Sequence, residues 1–341
     1  MSRLSRAVGS CLALLVVSTA TLHAQTYHIV KTFTLGGDGA WDYVALDTIG
    51  HRLFVARQTR VMVIDPETGK LLAEIPGLNR AHGVAFSYAT GKGFATSGGD
   101  SSVVIFDLKN LQVVGRTTAA VDADAILFDP ATKRIFTFNG DAGSSSVIDP
   151  ASGQRIGSID LGGKPEFGVT TGDGKLFVNL EDSSMVAEID AAAMKVTRRW
   201  SLAPCQSPSG LAIDRAHNRL FSGCRNQVMA ISDAAAGKLI TTVPIGQGVD
   251  ACRFDAGTQL AFASNGDGTL TVIHEDSPEK FTVVSNVPTK RGARTMELDG
   301  KTHRVFTVSA DFGPPPAPTP DRPRPRPPVL PGTFALLELD P

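Results

Sequence analysis

The feature that most constrains this chain is a repeat. At Arg52–Phe54, Arg134–Phe136, Lys175–Phe177, Arg219–Phe221 and Arg304–Phe306, Arg-Leu-Phe or a near copy follows a turn and opens an alternating β-type run. The residue closing the run before each turn sets the register: Asp47, Ser87, Asp129, Thr171, Asp214, Asp255 and Asp299, spaced 40, 42, 42, 43, 41 and 44 residues apart. A period of about 40–45 residues built from runs that alternate at two belongs to propeller blades of four short strands. Helical repeats of that length would show apolar positions at 3.6-residue spacing. Seven units fit, so the expected fold is an all-β, seven-bladed β-propeller.

The unit is clearest in GGKPEFGVTTGDGKLFVNLEDSSMVAEID, from Gly162 to Asp190. There FGVTT, KLFVNL and MVAEID are separated by a Gly-Asp-Gly turn and a polar turn, which reads as a meander of hairpins. RLFVARQTRVMVIDPETGKLLAEI and SGLAIDRAHNRLFSGCRNQVMAISDAAAGKLI follow the same pattern. On these motifs the chain resembles the YVTN-type (YncE-like) β-propeller repeat proteins over nearly all of its length after residue 24. The resemblance implies a seven-bladed, usually exported scaffold and no particular reaction.

Residues 1–24 are expected to be a signal peptide. Arg3 and Arg6 precede an apolar core at Cys11–Val17, and Leu22-His23-Ala24 offers a cleavage site before Gln25. The apolar run is far shorter than the roughly 18 residues needed to span a bilayer. Residues 25–341 then form one propeller domain, expected to be monomeric and periplasmic or secreted. The run Tyr27 to Leu35 alternates like a strand but has no repeat of its own, while the last unit offers only Arg294–Asp299, His303–Ser309 and Thr333–Leu339. Pairing the spare strand with the short blade closes the ring and removes two open edges.

Gly313 to Gly332 carries ten of the chain's 21 prolines. Proline lacks an amide hydrogen and fixes φ, so an extended loop is expected within the last blade. It reads as a tolerated low-complexity insertion, with a lid over the mouth or a proline-motif partner ligand as the alternative.

No local motif declares an enzyme, so any site must be assembled from several blades. Five residues before each register position stand Asp42, His82, Asp124, Glu166, Ser209, Asp250 and Arg294; three residues before it stand Val44, Val84, Ile126, Gly168, Leu211, Cys252 and Met296. The two rows share strand parity. The polar row is therefore expected where the innermost strands leave the packing between blades and enter the channel mouth. Loops on the same face add Arg57, Asp100, Asn139, Asp141, Glu181, Asp182, Arg225, Asn226, Asn265, Asp267 and Asp311. Carboxylates crowded together favour a bound cation, calcium among them, or force one acid to take up a proton.

Two functions follow as expectations. The first is a non-enzymatic scaffold that binds a small ligand or protein through its acid-rich mouth. The second is a metal-dependent hydrolase of the lactonase type, with Asp124, Glu166, Asp250 and Asn265 as ligands and a carboxylate or His82 activating water. Three Tyr, two Trp and a net charge of −1 argue against nucleic acid as a partner. Of the three cysteines after residue 24, Cys252 fills a slot otherwise apolar, whereas Cys205 and Cys224 flank one hairpin and are expected to form a disulfide in an oxidising compartment.

Overall fold

The computed structural model describes residues 27–319 and 325–341. The expected signal peptide lies outside those residues, as does the centre of the Pro-rich segment. Seven four-stranded antiparallel sheets stand around a common axis as a β-propeller. The innermost strands are Val44–Asp47, Ala81–Ser87, Ala123–Asp129, Pro165–Thr170, Pro208–Asp214, Val249–Asp255 and Met296–Asp299 for blades 1 to 7. Six of the seven register residues are the last of their strand, and Thr171 lies one residue beyond. The register works because its aspartate caps the following turn: Asp47 Oδ1 accepts from the amides of Ile49 (3.2 Å) and Gly50 (2.8 Å), and Asp129 Oδ2 from that of Thr132 (2.9 Å).

Each second strand carries a phenylalanine at the same place into the packing between blades. Phe54, Phe94, Phe136, Phe177, Phe221, Phe262 and Phe306 are all at most 2% exposed. They anchor the seams: Phe54 and Phe106 stack at 5.7 Å, and Phe54 meets Phe86 edge-on at 4.9 Å. Apolar burial along these seams supplies the main favourable term in holding the ring.

Blade 7 is composite. Its order runs from Met296–Asp299 through Arg304–Ser309 and Ala335–Asp340 to the N-terminal strand His28–Thr34. That strand pairs with the last one from His28↔Asp340 to Thr34↔Ala335. Just before it, Tyr27 is 3% exposed, donates from its hydroxyl to the His303 carbonyl (2.8 Å) and packs on Phe262 with ring centres 5.0 Å apart.

The link onward to blade 1 is tied down by Arg57. This side chain was expected at the mouth, but it is 1% exposed and turned inward. Its guanidinium donates to the carbonyls of Gly36 (3.4 Å), Gly37 (3.1 Å), Asp38 (2.9 Å) and Gly39 (3.0 Å), and stacks 3.7 Å above the Phe334 ring. Aiming consecutive carbonyls at one cation requires positive φ at Gly36, Gly37 and Gly39, which glycine alone adopts cheaply.

Cys205 and Cys224 are joined as a disulfide, Cα atoms 5.6 Å apart, on the hairpin whose register pairs Pro208 with Cys224 and Ile213 with Leu220. Cys252 is buried and free, and burial pushes its thiol up to about 12. Thiol titration of denatured, unreduced protein lacking residues 1–24 is expected to find one free thiol per chain. A count of three would show that the bond does not form.

Candidate functional site

The polar row gathers at one end of the axis, and a backbone irregularity puts it there. In blades 2 to 6 the first-strand register slips between Ala81 and Val84, Ala123 and Ile126, Pro165 and Gly168, Pro208 and Leu211, and Val249 and Ala251. Each slip brackets the ring residue of its blade: His82, Asp124, Glu166, Ser209 or Asp250. A β-bulge frees one residue from the ladder and re-aims its side chain. That is why positions of equal parity differ in chemistry. The bulges are held by polar side chains of the second strands. Thr96 accepts from the Gly83 amide (2.8 Å) and donates to the Asp124 carbonyl (2.6 Å), and Asn179 Nδ2 donates to the carbonyls of Ser209 (2.9 Å) and Gly210 (3.1 Å). Neighbouring inner strands come close enough that a Cβ on Gly210 would stand 2.5 Å from the Cys252 nitrogen.

Neighbouring blades contribute to two arcs. In the first, His82 Nδ1 lies 2.5 Å from Asp42 Oδ2 and 3.4 Å from Asp124 Oδ1. The three groups offer ligand atoms within 4.8 Å of one another. In the second, Ser209 Oγ sits 3.4 Å from Glu166 Oε1 and 3.2 Å from Asp250 Oδ1, and Arg294 Nε approaches Asp250 Oδ2 at 3.5 Å. Of the acids expected to hold a cation, Asp124 falls in the first arc beside Asp42 and His82, while Glu166 and Asp250 face Ser209 in the second. Asn265 is not brought to the ring. It is fully buried in blade 6, where its Nδ2 donates to Thr269 Oγ1 (3.0 Å) and Thr271 Oγ1 (3.1 Å). Asn139 is likewise buried, bonded to Ser144 and Ser146. Glu181 pairs with Arg225 (2.7 Å), Asp311 with Lys290 (2.8 Å) and Asp100 with Arg116 (2.8 Å).

Crowding shows in the acid–base balance. Burial, and then Asp124 and Asp250, push the Glu166 carboxyl up to about 8. Burial followed by Asp42, Asp122 and Asp250 holds Asp124 well above the usual carboxylate range, and burial raises Asp250 against the opposing pull of Arg294.

Below the ring the channel is filled. Tyr43 from blade 1 meets Phe167 from blade 4 at 5.3 Å, edge to face. Arg253 from blade 6 lies 5.0 Å over the same Phe167 ring and forks onto Glu297 of blade 7 at 2.8 and 3.1 Å. Tyr43 is 6% exposed; burial and the carboxylates of Asp124, Glu166, Asp250 and Asp42 drive its ionisation far up. The mouth is therefore a cup with a floor. The sequence carried a signal for it: four residues before the register, Tyr43 and Phe167 stand in a row otherwise made of Gly83, Ala125, Gly210, Ala251 and Thr295.

On the rim, beside Arg294, opens a cleft of about 420 Å³ whose walls include Trp41, Phe312, Val329, Arg291, Arg294 and Arg326. Trp41 packs on Phe312 (6.1 Å) and Phe334 (5.2 Å), and Arg291 lies 5.7 Å over Phe312. The described ends of the Pro-rich insertion form one wall. Phe312 bridges Val329, the Gly313 amide donates to the Pro328 carbonyl (2.9 Å) and the Leu330 amide to that of Asp311 (2.8 Å). Among the described residues the prolines lie in no strand, and the residues flanking them close a short hairpin along this wall of the cleft.

No protein-family profile and no curated protein matches this chain. Among solved structures, a chain of the crystal structure of the mitotic checkpoint complex superposes with a TM-score of 0.71 over 89% of this chain and 95% of its own length, at 14% sequence identity. At that identity the likeness speaks for the fold alone. Among the described residues, no helix is long and apolar enough to cross a membrane.

Proposed function

We propose that this protein is an exported binding scaffold of the YVTN type. Its mouth takes a small ligand with an acidic group and an apolar body. The observation that carries this reading is the cleft beside the ring: three arginines converge on aromatic and aliphatic walls in a space of small-molecule size. Guanidinium groups recognise carboxylates and phosphates by charge and fork geometry, and Trp41 and Phe312 supply the apolar surface that fixes a ring or chain. The adjoining carboxylates would favour a ligand that also carries a positive group. A propeller fold also suits a protein-binding scaffold, and the solved neighbour belongs to a complex.

Trp41 provides the test. With Trp200→Phe as background, benzoate and phenyl phosphate are expected to change Trp41 fluorescence in a saturable way. Arg294→Ala should weaken that binding at least tenfold, the scale of one charge-assisted hydrogen bond of about 1.5–3 kcal/mol. No saturable change with either probe, or an unaltered Arg294→Ala, would overturn the reading.

The group of Asp42, His82 and Asp124 supports a second reading, a metal-dependent hydrolase. In it these three side chains would hold the cation and Glu166 would handle the proton of the attacking water. Lactone hydrolysis that requires an added divalent ion and is lost in Asp124→Asn would favour it over simple binding.

A further inference from the structure

The opposite face holds two residues that break the repeat, and they meet at one seam. Three residues after the register the blades carry Gly50, Thr90, Thr132, Gly174, Thr258 and Thr302, but blade 5 carries His217. The slot following Asp65, Asp107, Asp149, Asp190, Asp233 and Asp340 at the end of the third strands holds Pro66, Leu108, Pro150, Ala191, Ala234 and Pro341. In blade 6, whose third strand runs on to Ser277, His274 replaces that aspartate and Glu275 fills the slot. Backbone bonds confirm that the slots correspond: Leu108, Ala191, Ala234 and Glu275 donate their amides to Gly91, Gly174, Asn218 and Gln259.

Across the seam between blades 5 and 6, His217 Nδ1 lies 2.5 Å from Asp214 Oδ2 and 3.2 Å from Glu275 Oε1. All three offer ligand atoms within 4.8 Å of one another. The Glu275 side chain has no exposure, and neither of its oxygens accepts a hydrogen bond. A carboxylate so placed, where every other blade is apolar, needs a proton or a cation. Arg219 beside it is engaged elsewhere, with Asp233 (3.2 Å) and the carbonyls of Pro278 (2.6 Å) and His217 (2.9 Å). One seam further on, His303 and Asp255 repeat the imidazole–carboxylate pair (2.6 Å), and among the described residues no third acid joins that group. Glu275 is thus the addition that calls for explanation.

We propose that Asp214, His217 and Glu275 form a transition-metal site that staples blade 5 to blade 6, with zinc as the fitting ion. One imidazole nitrogen and two carboxylate oxygens suit zinc or cobalt(II) and leave a position for water. Two negative charges match a divalent cation. His217, 39% exposed at its side chain, offers the way in, and Asp214 keeps its Oδ1 on the Ala216 amide (2.9 Å). The imidazole selects against calcium and magnesium, which prefer oxygen alone.

The test uses chelator-stripped protein titrated with zinc by calorimetry and with cobalt(II) by visible absorption. One equivalent is expected to bind here, with a rise of a few degrees in melting temperature at saturation. Glu275→Ala and His217→Thr each install a residue that other blades carry in the slot, so both should fold. Each should lose that equivalent and its cobalt band, whereas His82→Ala, at the other end of the axis, should keep it. Stripped wild-type protein that binds no zinc, or seam variants that bind it unchanged, would overturn the proposal. Loss of the equivalent in His82→Ala alone would assign the metal to the mouth and overturn it equally.

Discussion

A chain beginning at Gly36 is expected to lose cooperative folding at ambient temperature, not merely to melt earlier. The missing strand is a full partner of the last one along its length. Without it, Ala335–Asp340 becomes an open edge, and Glu338, 2% exposed, loses the Lys31 ammonium 3.0 Å away. Tyr27 would leave a gap against Phe262 and an unpaired His303 carbonyl. Removing a buried aromatic costs about 3–5 kcal/mol, and a whole domain is stable by only about 5–15 kcal/mol. The lost ladder and the lost tyrosine together approach that margin. Tyr27→Ala alone should remain folded and lower the melting temperature by roughly 5–8 °C. A sharp transition at the parent temperature in the truncated chain would show that the ring does not depend on this closure.

The second large effect is a stability that falls as pH rises. Glu166, with its carboxyl near 8, binds a proton in the fold that it releases near 4.5 when unfolded. The folded state therefore holds more protons between those values. By linkage its stability is full below pH 4.5 and declines until pH passes 8. Asp124 and Asp250, raised in the same direction, steepen the decline. For Glu166 alone the loss is on the order of 5 kcal/mol, since each tenfold gain in proton affinity on folding is worth about 1.36 kcal/mol. Urea unfolding at pH 5 and pH 9 measures it. Glu166→Gln should flatten the profile and be the more stable protein at pH 9. If the mouth takes a cation, calcium, magnesium or zinc added at pH 9 should recover part of the loss in the parent. A flat profile in the parent, or equal profiles in parent and variant, would show that the ring acids ionise independently.

What the sequence made legible was whatever repeats within a blade. The register aspartates cap turns, the phenylalanines fill seams and the spare N-terminal strand completes blade 7. Each obeys a local rule, so each recurs at the period and can be counted. The ring of Asp42 to Arg294 was legible for the same reason, although the bulges that aim it were not, since a bulge changes no residue type.

Features joining unlike positions left weaker traces. Arg57 looks like a loop charge until the glycine carbonyls of the next segment surround it. Asn265 looks like a ligand until its amide is seen bridging Thr269 and Thr271 inside blade 6. The cleft needs Trp41 from the start of the first repeat and Arg326 from the Pro-rich insertion, 285 positions apart, and no periodicity relates them. His217 and Glu275 stand out only once the blades are aligned in space.

The filled centre under the ring also decides how traffic at the mouth can run. With Tyr43, Phe167 and the Arg253–Glu297 pair meeting there, the molecule is a vessel rather than a pipe. Whatever enters must back out by the same opening, so the escape rate of an occupant is set by what stands over the rim. A larger partner seated on that face would trap a small molecule instead of competing with it.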